Sequence, residues 1–190
     1  MKNTLLTLAI AMSCTFAVSA MAMTKAEYKA EKDRISADYK AAKDKCGSLK
    51  ANAKDICMSE AKGADKVAKA DLEAQYQPSA RHTKKAAMVK ADTMYDTAKE
   101  KCDDLAGNAK DVCVKDAKVI YIKAKDDAKI AKVSMDTSKS TSDKMADVKK
   151  DAASDENKAQ YKAANERCDA LAGAPKDTCQ NDAKVKFGMK

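Results

Sequence analysis

Apolar positions along the chain recur at helical spacing and keep to a narrow face. Tyr28, Ile35, Tyr39 and Cys46 step by 7, 4 and 7 residues. Cys113, Ala117, Ile120, Ala124 and Ala131 step by 4, 3, 4 and 7, and Cys57, Ala61, Ala64 and Leu72 run on in the same way. Such steps put one stripe on one side of an α-helix. The stripe is mostly small. Ala and Lys are strong helix formers, so helices are expected even where little is buried. The pattern predicts helices near 24–50, 53–76, 80–106, 109–133, 144–172 and 175–186. Pro78 ends the second, and Ser79 is placed to start the third.

The same pattern occurs three times, and a repeat governs any reading of the fold. Cys46/Cys57, Cys102/Cys113 and Cys168/Cys179 are each spaced C-x10-C. Tyr39, Tyr95 and Tyr161 lie seven residues before the first Cys, and Leu49, Leu105 and Leu171 lie three after it. Lys54-Asp55, Lys110-Asp111 and Lys176-Asp177 share one offset, and Ala61-Lys62, Ala117-Lys118 and Ala183-Lys184 share another. The units are 56 and then 66 residues apart, and the extra residues fall in 134–143, a Ser/Thr/Lys/Asp segment that reads as a linker. The expected division is a hairpin at 23–78, a second at 79–133, the linker, and a third at 144–190.

Each unit reads as a helical hairpin with its turn between the cysteines. In Leu105-Ala106-Gly107 the Gly sits where a helix end tolerates positive φ. Asn108 then reads as the next N-cap, with Asp111 near the positive helix end. Gly173 repeats the stop, and Pro175 falls at an expected first helical position. Unit one has Lys50-Ala51-Asn52 and no Gly. On one unbroken helix the two cysteines of a unit would stand roughly 16 Å apart. A disulfide needs Cα atoms about 5.5 Å apart. A turn midway makes the cysteines face each other across antiparallel helices. The expected bridges are therefore Cys46–Cys57, Cys102–Cys113 and Cys168–Cys179. Each closes a short loop and contributes roughly 3 kcal/mol in the chain-entropy model.

Composition first looks like a warning of disorder. Of 190 residues, 37 are basic and 29 acidic, Trp is absent, and Phe occurs twice. Leu, Ile, Val and Phe together fall below the roughly 20% at which a conventional core becomes doubtful. The repeat changes that reading: small side chains suit thin interfaces between closely spaced helices, and covalent staples replace part of a core. The fold class is expected to be all-α, three tandem disulfide-stapled αα-hairpins, elongated or loosely bundled.

The first 22 residues read as an export leader. Lys2 supplies its positive end, Leu5 to Val18 its apolar stretch, and Ala20-Met21-Ala22 its cleavage site. Met23 is then the mature start. Cys14 leaves with the leader; its surroundings lack the preferred Leu of a lipidation site. Loss of Lys2 takes the formal net charge from +8 to +7, and six cysteines remain for an oxidising compartment. The periplasm of a Gram-negative bacterium fits this combination. No transmembrane segment is expected after cleavage.

Candidate chemistry is sparse. The cysteines lack the short C-x-x-C spacing and the neighbouring His of a redox pair. Zinc prefers four clustered Cys or His ligands, and each pair here stands alone. His82 is the single histidine and has no obvious nucleophile or carboxylate beside it. Asp103-Asp104 and Asp126-Asp127 are flanked by Lys and read as solvated helix faces. Tyr39, Tyr95 and Tyr161 read as packing residues beside the hinge. Lysine accounts for 34 of the 37 basic residues, but acids are interspersed nearly one for one. A nucleic-acid site wants a concentrated basic stripe with Arg and aromatic stacking. The richest basic stretch, Arg81 to Lys85, is short. No catalytic residue, cofactor or metal is expected.

Cys102-Asp103-Asp104-Leu105-Ala106-Gly107-Asn108-Ala109-Lys110-Asp111-Val112-Cys113, with Met23-Thr24-Lys25-Ala26-Glu27-Tyr28, resembles the repeats of exported helical-repeat proteins of betaproteobacteria. Some of those carry a cell envelope biogenesis label. The resemblance spans nearly the whole mature chain. It implies export and helical repeats, and no enzyme activity. The expected function is a non-enzymatic periplasmic structural or interaction protein, with a protein or envelope partner. A stress-protective or chaperone-like role is the alternative, and weak binding of envelope polyanions or lipid surfaces a further one.

Overall fold

The computed structural model describes residues 23–136 and 141–189. The leader read at 1–22 lies outside the described residues. Among them the chain forms six helices and no strand: α1 (Lys25–Cys46), α2 (Ala51–Tyr76), α3 (Ala80–Cys102), α4 (Gly107–Ser134), α5 (Thr141–Cys168) and α6 (Ala174–Lys186). The segment read as a linker is therefore partly helical, with Ser134 closing α4 and Thr141 opening α5. Residues 137–140 of that segment lie outside the described residues.

Helix starts follow local chemistry. Thr24 caps α1 with a reciprocal box: its hydroxyl accepts the Glu27 N–H, and the Glu27 carboxylate accepts the Thr24 N–H. The Thr24 N–H and the Thr24 hydroxyl both donate to the carboxylate and hold the Glu27 carboxyl below its ordinary value. Ser79 caps α3 by accepting the His82 N–H.

The turns are tighter and earlier than the periodicity suggests. The first arms end at Cys46, Cys102 and Cys168, about a turn before the expected 50, 106 and 172. In each unit the Leu three residues on closes the turn with its N–H. Leu49 donates to Cys46 O, Leu105 to Cys102 O and Leu171 to Cys168 O, at 3.1, 3.0 and 3.0 Å. The residue five after the first Cys then takes positive φ: Ala51 at 48°, Gly107 at 56° and Gly173 at 60°. Gly107 thus opens α4 instead of closing α3, and Asn108 lies inside α4, behind an Ala106 cap. Pro175 falls one residue later than expected, since α6 starts at Ala174.

The three disulfides pair as geometry demands: Cys46–Cys57, Cys102–Cys113 and Cys168–Cys179, with Cα separations of 5.6, 5.7 and 5.7 Å. The first cysteine of each bridge is buried, and so is the Ala four residues past the second: Ala61, Ala117 and Ala183. Among the described residues, and apart from Ile35 and Leu72, the buried apolar side chains are all Ala or Cys. A buried methyl contributes only about 0.8 kcal/mol, so the staples carry weight that a leucine core would otherwise carry.

Among the described residues each helix packs only on its neighbours in the chain: α1 on α2, α2 on α3, and so on to α6. The hairpins form a row of helices and not a bundle around a shared centre. One joint is used twice. The Asn six residues after a first Cys donates its amide to the carbonyl two residues before the next first Cys: Asn52 to Glu100 and Asn108 to Glu166, both at 2.8 Å. An acid eight residues further along pairs with the base just before that next Cys: Glu60 with Lys101 at 2.8 Å, and Asp116 with Arg167. Small residues bring the joined helices close. A Cβ placed on Gly63 would lie 3.2 Å from the Thr93 Cβ, and Ser59 and Thr97 share a hydrogen bond of 3.1 Å.

Candidate functional site

Two repeat-equivalent grooves run beside the hairpin joints. The one between α1, α2 and α3 encloses about 540 Å³, and the one between α3, α4 and α5 about 550 Å³. Their charges differ. Glu73 and Asp92 of the first groove are replaced at equivalent positions by Lys129 and Lys158 in the second. The second groove is lined by Lys115, Lys118, Lys125, Lys129, Lys158 and Lys162 against Asp126 and Asp155.

Aromatic rings form the floor of this basic groove. Tyr95 of α3 stacks on Tyr121 of α4 with ring centroids 4.8 Å apart. The Lys118 ammonium sits 4.8 and 4.3 Å from the two ring centres. Lys99 lies over Tyr95 at 4.9 Å, and Lys125 over Tyr121 at 4.8 Å. The Tyr121 hydroxyl donates to Asp92 at 2.7 Å and accepts from Lys125 at 3.1 Å. Burial pushes Lys118 below its ordinary value, and the like charges of Lys125 and Lys99 push the same way. The rings partly offset this through their negative faces. An anion placed among these ammonium groups would relieve the crowding.

Asp126 departs most from the sequence reading. It was expected on a solvated face, yet it is 1% exposed. One carboxylate oxygen accepts from Lys129 Nζ at 2.7 Å, and the other has no hydrogen-bond partner among the described residues. Asp126 occupies the place held in unit one by the buried Ala70. Aligning the units would have revealed the substitution. Nothing in the local pattern marks it, because Asp127 beside it is exposed and pairs with Lys123 at 3.5 Å.

The other candidates scatter. The three hinge tyrosines do not converge: Tyr39 lies under Lys43 in the first hairpin, Tyr95 lines the groove, and Tyr161 is half-buried on α5. Tyr121 and Tyr76 escaped the repeat pattern, since no tyrosine stands at their offsets in the other units. Tyr76 stacks on Tyr28, whose hydroxyl donates to Glu73 at 2.8 Å. Asp103 pairs with Lys110 and Asp169 with Lys176, each at 2.9 Å across a turn. His82 donates a ring N–H to the Gln77 carbonyl at 2.6 Å. None of Arg81 to Lys85 lines the basic groove.

Among the described residues no three His, Cys, Asp or Glu side chains cluster as a metal would require, and no helix is long and apolar enough to cross a membrane. Three intrachain disulfides suit an oxidising environment. No protein-family model, curated protein or solved structure matches the chain.

Proposed function

We propose that this chain is a non-enzymatic structural or interaction protein of the periplasm, exported by residues 1–22 and matured by cleavage after Ala22. The observation that supports it is the joint used twice between successive hairpins. A row built by one repeated joint presents long open faces, which is how helical arrays contact partners. The staples suit a compartment where thiols oxidise, and the resemblance to exported betaproteobacterial repeat proteins points the same way.

The test is expression of the full chain with its leader in a Gram-negative host. The expected product is periplasmic, begins at Met23, and carries three intrachain bridges. In-cell cross-linking should then trap an envelope or periplasmic partner on the oxidised chain. Cytoplasmic retention with an uncut leader overturns the reading of compartment. A substrate turned over by the purified chain overturns the non-enzymatic part.

The charge of the groove between α3, α4 and α5 favours a second reading, weak binding of envelope polyanions. Its six lysines outnumber two aspartates on an aromatic floor. Binding of a sulfated or phosphorylated polymer that weakens steeply with salt, and is lost in Lys118→Glu, would support it. Equal binding by that variant would reject it.

A further inference from the structure

The hairpin joint has two halves, and each end of the array keeps one of them uncovered. We infer that this protein associates head to tail, with the α6 end of one copy docking on the outer face of α1 in the next. The inference rests on the register of the joint and not on the compartment or partner proposed above.

The receiving half is a row of small residues at 16, 9 and 5 positions before the first Cys. In α3 these are Ala86, Thr93 and Thr97; in α5 they are Ala152, Ala159 and Ala163. Five of the six are buried and Thr97 is half-buried, and Thr93 and Thr97 meet Gly63 and Ser59 of the preceding hairpin. The same positions in α1 are Ala30, Ala37 and Ala41, and all three are exposed. The base of the joint, Lys101 in unit two and Arg167 in unit three, is Lys45 in unit one. Lys45 is exposed and has no ion-pair partner among the described residues.

The donating half is uncovered at the other end. The acid of the joint, Glu60 and Asp116, is Asp182 in unit three, exposed and without an ion-pair partner among the described residues. Three residues on, where Gly63 is buried and Val119 half-buried, Val185 is 83% exposed. Charge and shape are therefore complementary between the two ends: Asp182 with Val185 against Lys45 with the alanine row. Such a contact is heterologous, so it propagates into open chains instead of closing as a symmetric pair.

The end-to-end joint is weaker than the internal ones for two visible reasons. Ala174 stands where Asn52 and Asn108 supply their amide bonds. Helix α6 has 13 residues against 26 in α2 and 28 in α4, which roughly halves the contact.

Sedimentation velocity on the purified, oxidised chain tests this. The mean mass should rise with concentration over roughly 10 µM to 1 mM, the range expected for a small interface. Lys45→Glu or Asp182→Lys alone should weaken the association about tenfold, and the double variant should recover it. Ala37→Glu and Val185→Glu block one end each. Each should be monomeric alone, and an equimolar mixture should stop at a one-to-one dimer. Unchanged helicity by circular dichroism confirms folding, because all four sites are exposed. A wild-type chain that stays monomeric overturns the proposal. So does self-association that survives either end block, or a mixture that stays monomeric.

Discussion

The side-chain amide of Asn108 donates to the backbone carbonyl of Glu166 at 2.8 Å, across 58 residues of sequence and into the next hairpin. Asn52 makes the same bond to Glu100. The Glu100 and Glu166 carbonyls also accept an N–H from the turn that follows them, from Asp103 and Asp169. The amide thus ties the second arm of one hairpin to the turn of the next. Asn108→Ala should loosen the third hairpin from the second at a loss of about 1 kcal/mol. Hydrogen exchange should rise at the α4–α5 joint while the α1–α2 pair stays protected. Uniform exchange along the chain would show that the joint acts through something other than this bond.

Ala51 holds φ at 48°, where its repeat equivalents are Gly107 and Gly173. An L-residue in this region is strained by roughly 1–2 kcal/mol, part of which glycine's flexibility in the unfolded chain cancels. Ala51→Gly should therefore stabilise the protein by about 0.5–1 kcal/mol. Gly107→Ala should destabilise it by a similar amount, although nothing lies within 4 Å of the added Cβ. Denaturant melts of the two variants check opposite signs at equivalent positions.

Lys129 is the only hydrogen-bond partner of the buried Asp126 among the described residues. Lys129→Met should destabilise by about 2 kcal/mol, less than for a fully buried pair because Lys129 is 39% exposed. Asp126→Ala restores the residue of unit one and should be neutral or stabilising. The double variant should recover most of the loss in Lys129→Met. The hydrogen bond that Lys129 donates to Asp126 raises the Lys129 pKa above its ordinary value of 10.5. A raised cation contributes its stability fully below the unfolded pKa and loses it as pH rises through the folded one. The gap between wild type and Lys129→Met should thus be constant below pH 10.5 and close only as the pH climbs through the raised Lys129 value above it. A gap that stays constant through that climb would reject the pair as the cause.

The bridge in the middle hairpin closes a loop between residues 11 apart. Replacing both Cys102 and Cys113 by Ala should lower stability by about 3 kcal/mol. Circular dichroism before and after reduction of wild type should show a matching loss, since the buried apolar residues are mostly Ala. Non-reducing peptide mapping should return 46–57, 102–113 and 168–179. Full helicity and an unchanged melting temperature after reduction would show that the helices hold without their staples.

Much of this architecture is legible along the chain. The C-x10-C spacing, the midway break and the reach of a disulfide leave one pairing, and the structure has it. Helix ends at Cys46, Cys102 and Cys168 fall about a turn before the expected ones, because Gly107 and Gly173 read as the stops while the turn is already closed by Leu49, Leu105 and Leu171. Their N–H groups close the turn while their side chains stay 40–44% exposed. The basic groove was not legible. Tyr95 was singled out by its repeat position, but Tyr121 and Lys118 meet it only once α3 and α4 are side by side.

By itself, then, the sequence determines the helices, the three-fold repeat and the staples, because helical period and covalent reach act over a few turns of one chain segment. Only the tertiary structure decides which face of one hairpin meets the next. That choice turns Asn108 from a cap into a strut, buries Asp126 but not Asp127, and leaves Lys45 and Asp182 uncovered at opposite ends. These outcomes depend on the relative rotation of helices whose meeting residues lie up to 58 positions apart, and no local period encodes that rotation.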